Sequence, residues 1–498
     1  MGDAVIRTLW RLYVSRRHLL EWVPAAQTAV GSQLDMTTAY RRMAGAPLIA
    51  VAATIIVWSA AGGAQLLAVP FLVLWLASPA IARWISRSPS HDGRLATSQP
   101  DARTLRLTAR RTWRYFETFV TAADHMLPPD NFQEDPSPAL AHRTSPTNLG
   151  LYLLSVVGAR DFGWIGQAEA VSRLTATLET MSGLPRFRGH FYNWYDTRDL
   201  RPLDPQYVSS VDSGNLAGHL IALANACREW RNAPPDLEQP LAGLIDAIDL
   251  VREEAAPQFY GGRRTQIVTW EQLDHALTAL RAAVEAPVGA GDEPAVRLAA
   301  LAAQVDTMID IVRALIIEHG GDGGGGMLYW AEAGLKTILS HIRDLQSPPL
   351  NAALVALEDA ARALALGMDF SFLLDRERKL LSIGYLAAEG TLDANSYDLL
   401  ASEARLASFF AIAKGDVPAR HWFRLGRAVT PVAHGAALIS WSGSMFEYLM
   451  PSLVMRAPAG SLLEQTNHLI VRRQIDYGMA LRTPWGISES AYNARDLE

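Results

Sequence analysis

The dominant feature of the hydrophobic pattern is a stretch without a single charge, Ala46 to Ala82, with Arg41 and Arg42 before it and Arg83 and Arg87 after it. One upright helix needs only about 20 apolar residues to cross hydrocarbon. The stretch is longer than that, and Gly62 and Gly63 interrupt it. Two helices joined near Gly62 are therefore predicted, with Pro70 inside the second and Trp58, Trp75 and Trp84 at interfacial depth. Arginines at both ends predict that both face the cytoplasm. A single long tilted helix is the alternative, and it would place the rest of the chain outside. Upstream, Arg7, Arg11, Arg16 and Arg17 are spread along an apolar pattern with no compact centre, which is not the pattern of a cleavable signal.

After a polar Ser/Pro-containing stretch, 88–104, the pattern becomes helical almost throughout. Period-3.6 segments predict helices near 106–125, 148–159, 166–181, 213–230, 237–254, 270–285, 293–318 and 350–366. Asp212 and Ser213 stand where a helix N-cap belongs. Near 369–385 the period changes: Phe370-Ser-Phe-Leu-Leu, a charged turn Asp375-Arg-Glu-Arg-Lys, then Leu380-Leu-Ser-Ile-Gly predict a β-hairpin. Helices resume at 396–414 and 462–477. The connecting loops are rich in aromatic residues, Asp and Asn, which suggests an α/α toroid whose site is built from loops at one end.

Composition narrows the function classes. About half the residues are apolar and 19% are charged, so a large core is possible. A net charge of −6 argues against nucleic acid as a partner. The single cysteine, Cys227, excludes an internal disulfide framework. No P-loop, His-Glu-x-x-His or paired-cysteine motif occurs, and His421, His434 and His468 lack metal-ligand spacing, so no metal or cofactor is expected. The glycine run 319–326 contains a formal Gly-x-Gly-x-x-Gly. It follows a helix instead of a strand, and reads as a connector.

Three carboxylates carry the candidate chemistry. Glu403 falls on an apolar stripe with Leu399, Leu406 and Phe410, where a charge needs a partner or a purpose. An ion pair with Arg405 or Arg420 is the other reading. Glu489 sits in a loop with Pro484 and Gly486, bracketed by Trp485 and Tyr492. Glu447 lies between Trp441 and Tyr448. Aromatic faces stack on pyranose rings, and glycoside chemistry needs two carboxyl groups, one giving a proton and one attacking or activating water. The pattern suggests a carbohydrate-active enzyme. Aromatic residues packing between helices are the plainer alternative.

The runs Pro128-Pro-Asp-Asn-Phe-Gln-Glu-Asp-Pro136, His142-Arg-Thr-Ser-Pro-Thr-Asn148 and Arg188-Gly-His-Phe-Tyr-Asn-Trp-Tyr-Asp196 resemble the cyclic β-1,2-glucan synthase family. So do Ser209-Ser-Val-Asp-Ser-Gly-Asn-Leu-Ala-Gly218, Ser396-Tyr-Asp-Leu-Leu-Ala-Ser-Glu-Ala-Arg405, 414–426 and 486–492. The likeness runs along nearly the whole chain, and its later motifs also resemble the glucoamylase-like domain shared with bacterial endo-β-1,2-glucanases. It implies a mainly α fold, an (α/α)6-type toroid that is C-terminally incomplete, with a helical insertion, a small β-hairpin and an N-terminal transmembrane hairpin. The implied order is a membrane-proximal segment 1–45, the transmembrane hairpin 46–82, a linker 83–105, the first barrel helices 106–232, an insertion 233–368, and the hairpin with the catalytic part 369–498.

The family's middle domain is a retaining transglycosylase that cyclises linear β-1,2-glucan. The resemblance places its nucleophile on Glu403 and its acid/base on Glu489. Tyr192, Trp194, Trp441, Tyr448 and Trp485 are the implied stacking residues, and Asp130, Asn131, Asp196, Asp212 and Asn215 bind hydroxyls, with Glu447 and Tyr492 beside them. A retaining pair predicts a carboxyl separation of about 5–5.5 Å, whereas an inverting endo-β-1,2-glucanase predicts about 6.5–9.5 Å. A catalytically incomplete glucan-binding fragment is a third reading. The expected partners are β-1,2-glucan chains, the membrane, and separate chains or domains carrying the glycosyltransferase and phosphorylase-like parts. The expected location is the bacterial inner membrane with the main domain in the cytoplasm.

Overall fold

The computed structural model describes residues 8–16, 36–60, 63, 65–85, 97–134, 136–232, 238–256, 270–287, 293–318, 324–433 and 435–486. The chain divides into two units, Met1–Leu95 and Ala96–Glu498.

In the first unit the charge-free stretch forms two helices, Gly45–Ser59 and Gln65–Ile85, which break where the glycines predicted and pack against each other. A shorter helix, Met36–Arg42, joins them, and the Tyr40 hydroxyl donates to Leu76 O at 3.1 Å. Among the described residues one helix, Gln65–Arg83, is long and apolar enough to cross a membrane. Gly45–Ser59 rises only about 22 Å and is short of the roughly 30 Å of hydrocarbon.

The second unit is mainly helical. Helix Ser210–Asn232 lies at its centre and packs against Pro146–Asp161, Asn351–Leu366 and Arg405–Lys414. Leu216, Leu220, Leu223 and Ala224 of the central helix meet Leu149, Leu153, Leu354 and Ala361 in one continuous core. Helix Gln167–Gly183 closes this core against 351–366. The sequence reading had placed 351–366 in the insertion. The structure puts it here, because its apolar face is buried against helix 210–232.

Four helices, Glu238–Ala255, Trp270–Glu285, Pro294–Glu318 and Gly325–Gln346, form a second core of their own. The last of these was not foreseen. It starts within the glycine run that had read as a connector, and its apolar residues Met327, Trp330, Ala331 and Ile338 are buried there. Helix Gln99–Phe119 bridges the two cores. Its N-terminus is capped by Ser98, whose hydroxyl oxygen accepts from the Asp101 N–H at 3.2 Å. Asp246, almost fully buried on helix 238–255, accepts from Arg106 Nε at 3.1 Å and Nη2 at 2.5 Å and from Trp164 Nε1 at 2.8 Å. Arg110 is also buried; it bonds Glu117 at 3.1 Å and lies over the Trp330 ring at 5.2 Å.

Removing Asp246 strands three donors at this junction. The Asp246→Ala variant is expected to unfold more easily by about 3 kcal/mol, the size typical of a broken buried pair. Urea titration of the whole chain measures this, and a midpoint unchanged from the parent would refute it.

The hairpin near 369–385 is present: Leu374–Asp375 pairs antiparallel with Leu380–Leu381. A separate three-stranded sheet follows it: Gly384–Leu386 pairs with both Tyr207–Ser209 and Thr391–Leu392, next to the start of the central helix. The predicted helix 396–414 begins only at Arg405. Ser396 bridges Ser382, Leu399 bridges Gly426, and the Leu400 N–H bonds Gly426 O at 3.0 Å. These long-range pairings hold 396–400 extended and override its local helical pattern. Beyond the short helix, Val429–Val432 pairs with Gly435–Leu438, and helix Leu462–Leu481 packs on that ribbon over a small core of Leu400, Leu425, Leu438 and Tyr448.

Candidate active site

Two helix N-termini and one turn converge on Glu403. The first helix starts at Pro146: Ser145 caps it by accepting from the Asn148 N–H at 3.2 Å, and proline occupies the position that needs no donor. This leaves Thr147 and Asn148 in the first turn. The central helix starts at Ser210, and the cap is Ser209, which accepts from the Asp212 N–H at 3.2 Å. The sequence reading had put the cap at Asp212 and Ser213. With Ser209 as cap, Asp212 is freed to face the site from the first turn. Glu403 lies in the turn just before helix 405–414, not on its apolar stripe.

The polar groups form one connected run. Asn215, fully buried, donates from Nδ2 to Glu403 Oε2 at 3.4 Å and to Thr147 Oγ1 at 3.2 Å. Thr147 donates to Asp212 Oδ1 at 2.6 Å. With its amide nitrogen turned toward Asp212, Asn193 donates to Oδ2 at 3.1 Å and accepts from Trp194 Nε1 at 3.2 Å. Arg143 lies 4.4 Å over the Trp194 ring and donates to Asp130 Oδ2 at 2.9 Å. Asn131 and Asn148 also donate to Asp130, at 3.0 and 3.2 Å. Of the sequence-derived candidates, Asp130, Asn131, Trp194, Asp212, Asn215 and Glu403 thus belong to one network. Thr147, Asn148 and Asn193 complete it; their signal was their place inside the quoted runs at 142–148 and 188–196.

The electrostatics fit a cluster of carboxylates. Burial pushes the Asp212 carboxyl above its ordinary value, against the hydrogen bonds from Ser209 and Thr147 that favour its charge. Tyr397, which the sequence reading passed over, faces this cluster. Burial and the charges of Glu403, Asp212 and Glu447 push its phenol far up, so it stays a neutral donor. Burial, with Asp393 and Asp212 behind it, does the same to Tyr207.

Other candidates have different surroundings. Glu447 is buried, and its carboxylate is clamped by the loop before it: it accepts from the Trp441 N–H at 2.8 Å, the Ser442 N–H at 2.9 Å and the Ser442 hydroxyl at 2.8 Å. That clamp holds Trp441, whose ring is exposed. Tyr448 is buried, its hydroxyl donating to Leu438 O at 2.8 Å, so its ring lies in the core and not on a surface. Arg405, also buried, donates to Ser402 O at 3.3 Å and Tyr448 O at 2.9 Å, joining the Glu403 turn to the Glu447 helix. Asp196 serves its own turn: it accepts from the Arg198 N–H at 2.8 Å, and despite burial, that bond, the one from the Asp199 N–H and the nearby guanidinium groups hold its carboxyl below the ordinary range. The Tyr192 ring is half-buried against the first core, and its N–H donates to the Tyr195 hydroxyl at 2.8 Å. Trp485 is half-exposed and its Cβ abuts Gly478. Glu489 and Tyr492 lie outside the described residues, as does His434. His421 is buried between Lys379 O at 3.0 Å and the Ser408 hydroxyl at 2.8 Å, and burial lowers its pKa, so it is a neutral structural residue. Among the described residues no group of three or more His, Cys, Asp or Glu could hold a metal ion.

Residues 107–233 match a family of proteins of unknown function, DUF3131. Solved candidate glucoamylases from Bacteroides fragilis NCTC 9343 and Bacteroides caccae ATCC 43185 each overlay with a TM-score of 0.42 and 10% identity. The first overlay covers 78% of this chain and 68% of the other, and the second 76% and 68%. Along its entire length the chain is 45% identical to the cyclic β-(1,2)-glucan synthase NdvB of Rhizobium meliloti (strain 1021). It spans 18% of that protein, so what it resembles is one segment of a cyclic β-(1,2)-glucan synthase.

Proposed function

We propose that this chain carries the cyclising transglycosylase part of a cyclic β-1,2-glucan synthase, with Glu403 as nucleophile and Glu489 as acid/base. The observation that carries the reading is the polar network on Glu403: two helix N-termini, Asn215, Thr147 and Asp212 converge on a carboxylate in a chain whose full length matches such a synthase. Helix N-termini favour negative charge and so support an ionised nucleophile.

The reaction has two displacements. Glu403 attacks the anomeric carbon of an internal glucose while Glu489 protonates the departing glycosidic oxygen, giving a glucosyl ester and a freed sugar segment. Glu489, now a carboxylate, removes the proton from the 2-hydroxyl at the non-reducing end of the same chain. That oxygen attacks the anomeric carbon, the ester breaks, Glu403 is released and the ring closes. Cyclisation competes with water, so the acceptor sites must hold sugar and exclude solvent. Exposed Trp441 and Trp485 suit such stacking.

Around this centre, the helices would form part of an (α/α)6-type toroid that is C-terminally incomplete. Helices 45–59 and 65–85 would form a membrane hairpin with both ends in the cytoplasm of a bacterial inner membrane. Other domains or chains would polymerise the glucan and trim its length.

The test is to incubate the detergent-solubilised chain with linear β-1,2-glucan and weigh the products by mass spectrometry. Rings lighter than the linear chain by one water are expected. Linear fragments alone would favour an endo-β-1,2-glucanase. No product at all would count against activity in this chain. In the same assay Glu447→Gln, which puts an amide N–H against the N–H donors of 441–443, is expected to raise KM for long glucan about tenfold, roughly 1.4 kcal/mol of lost stacking, with little change in kcat. A fall in kcat alone would place Glu447 in the chemistry instead.

A further inference from the structure

We infer that Asp212 is a positioning residue that sets the direction of the Asn215 amide, and through it the orientation of Glu403. The inference rests on Glu403 being the nucleophile.

A carboxylate in a turn, with freely rotating side-chain bonds, needs an external hold to stay in attacking geometry. Asn215 supplies such a hold, its Nδ2 donating to Glu403 Oε2 at 3.4 Å. An amide can present either its NH2 or its oxygen, and only the NH2 is compatible with an ionised Glu403. Nothing on the oxygen side fixes the choice: Asn215 Oδ1 is buried, and no donor among the described residues reaches it. The choice is made at Thr147. Its hydroxyl donates to Asp212 Oδ1 at 2.6 Å, so its oxygen is left as an acceptor toward Asn215 at 3.2 Å. In this geometry Asp212 Oδ1 is the acceptor of the Thr147 hydrogen. Its other oxygen takes the Asn193 amide, which Trp194 Nε1 holds in turn. Between Asn193 and Glu403 the donors therefore run outward from Asn193 and Thr147 to Asp212 and from Asn215 to Glu403.

An amide at position 212 breaks this polarity. Its NH2 can donate to Thr147, whose hydroxyl then turns to Asn215, and Asn215 turns its oxygen against Glu403. Thr147→Val removes the hydroxyl with little change of shape and takes away the acceptor that fixes the Asn215 amide.

The test compares steady-state ring formation by the full chain and by Asp212→Asn, Thr147→Val, Thr147→Ser and the Asp212→Asn/Thr147→Val double variant. Asp212→Asn and Thr147→Val are expected to lower kcat about 10- to 100-fold, the usual cost of losing a supporting contact, with KM changed less than about threefold. Thr147→Ser keeps the hydroxyl and should restore most of the rate. The double variant should be no slower than the worse single one, because both break the same relay. A raised KM at unchanged kcat would overturn the inference, since Asp212 would then bind sugar directly. Equal losses in Thr147→Ser and Thr147→Val, or additive losses in the double variant, would also overturn it. If the parent chain turns over no glucan, the functional reading fails, and a crystal structure of Thr147→Val still decides the relay. Glu403 should leave the Asn215 amide by more than hydrogen-bond distance, and an unmoved carboxylate would end the proposal.

Discussion

Glu403→Gln is expected to abolish ring formation from linear β-1,2-glucan, lowering kcat by roughly 10^4-fold or more, as removal of a covalent nucleophile does. That corresponds to about 5.5 kcal/mol of transition-state stabilisation. The amide is nearly isosteric with the carboxylate but cannot form the glucosyl ester. Folding should be intact, since Glu403 is only half-buried in a turn outside the main helix. Glutamine would also place a second amide against the Asn215 NH2, which is tolerable because its own oxygen still accepts. The decisive readout is therefore product mass at matched melting temperature. A variant that folds and still closes rings would remove Glu403 from the nucleophile role. Glu489→Gln is expected to lose rings as well, because the departing glycosidic oxygen then has no proton donor.

Gly214→Ala is expected to lower both stability and rate. Helices 210–232 and 405–414 approach so closely at this point that a Cβ on Gly214 would lie 2.3 Å from Ala407 Cβ, 2.4 Å from its Cα and 2.6 Å from its N. Backbone cannot swing aside as a side chain can, so one helix must move. Alanine gains about 1 kcal/mol of helix propensity over glycine. Overpacking of a tight core costs about 1–3 kcal/mol and more where backbone shifts. A net loss of about 2 kcal/mol or more is expected, read as a lower urea midpoint. Gly158→Ala is the control: a Cβ there meets nothing within 4 Å, and the change should be neutral or stabilising. Activity should fall with Gly214→Ala too, because helix 405–414 carries the Glu403 turn. A displacement of about 1 Å can cost 10^2-fold in rate. Stability and rate both matching the Gly158→Ala control would show that the two helices are not in contact as described.

Much of the architecture was legible before any coordinates. The helices near 270–285 and 293–318 follow from apolar periodicity alone, and the break in the charge-free stretch follows from Gly62 and Gly63. Charged residues between two apolar runs placed the hairpin at 374–381. The misreadings have one cause. Residues 396–404 carry a helical pattern, yet pairing with Ser382 and Gly426, distant in sequence, holds the first part extended. Helix 351–366 reads as one more member of a helical series, and only its contact with helix 210–232 assigns it to the first core.

The candidate site divides in the same way. Sequence by itself marked Glu403, because a carboxylate among apolar neighbours is a signal confined to a few adjacent positions. The resemblance to a glucan-synthesising family, carried by short runs of residues, marked Asp212 and Asn215. Tertiary structure alone decided which of them touch. Asn215 and Glu403 are 188 positions apart, and Thr147 and Asp212 are 65 apart. It also turned Tyr448 into the core and gave the Glu447 carboxylate to a loop. Periodicity and capping act over one or two turns of chain, whereas the direction of a hydrogen bond is fixed only when the last partner arrives.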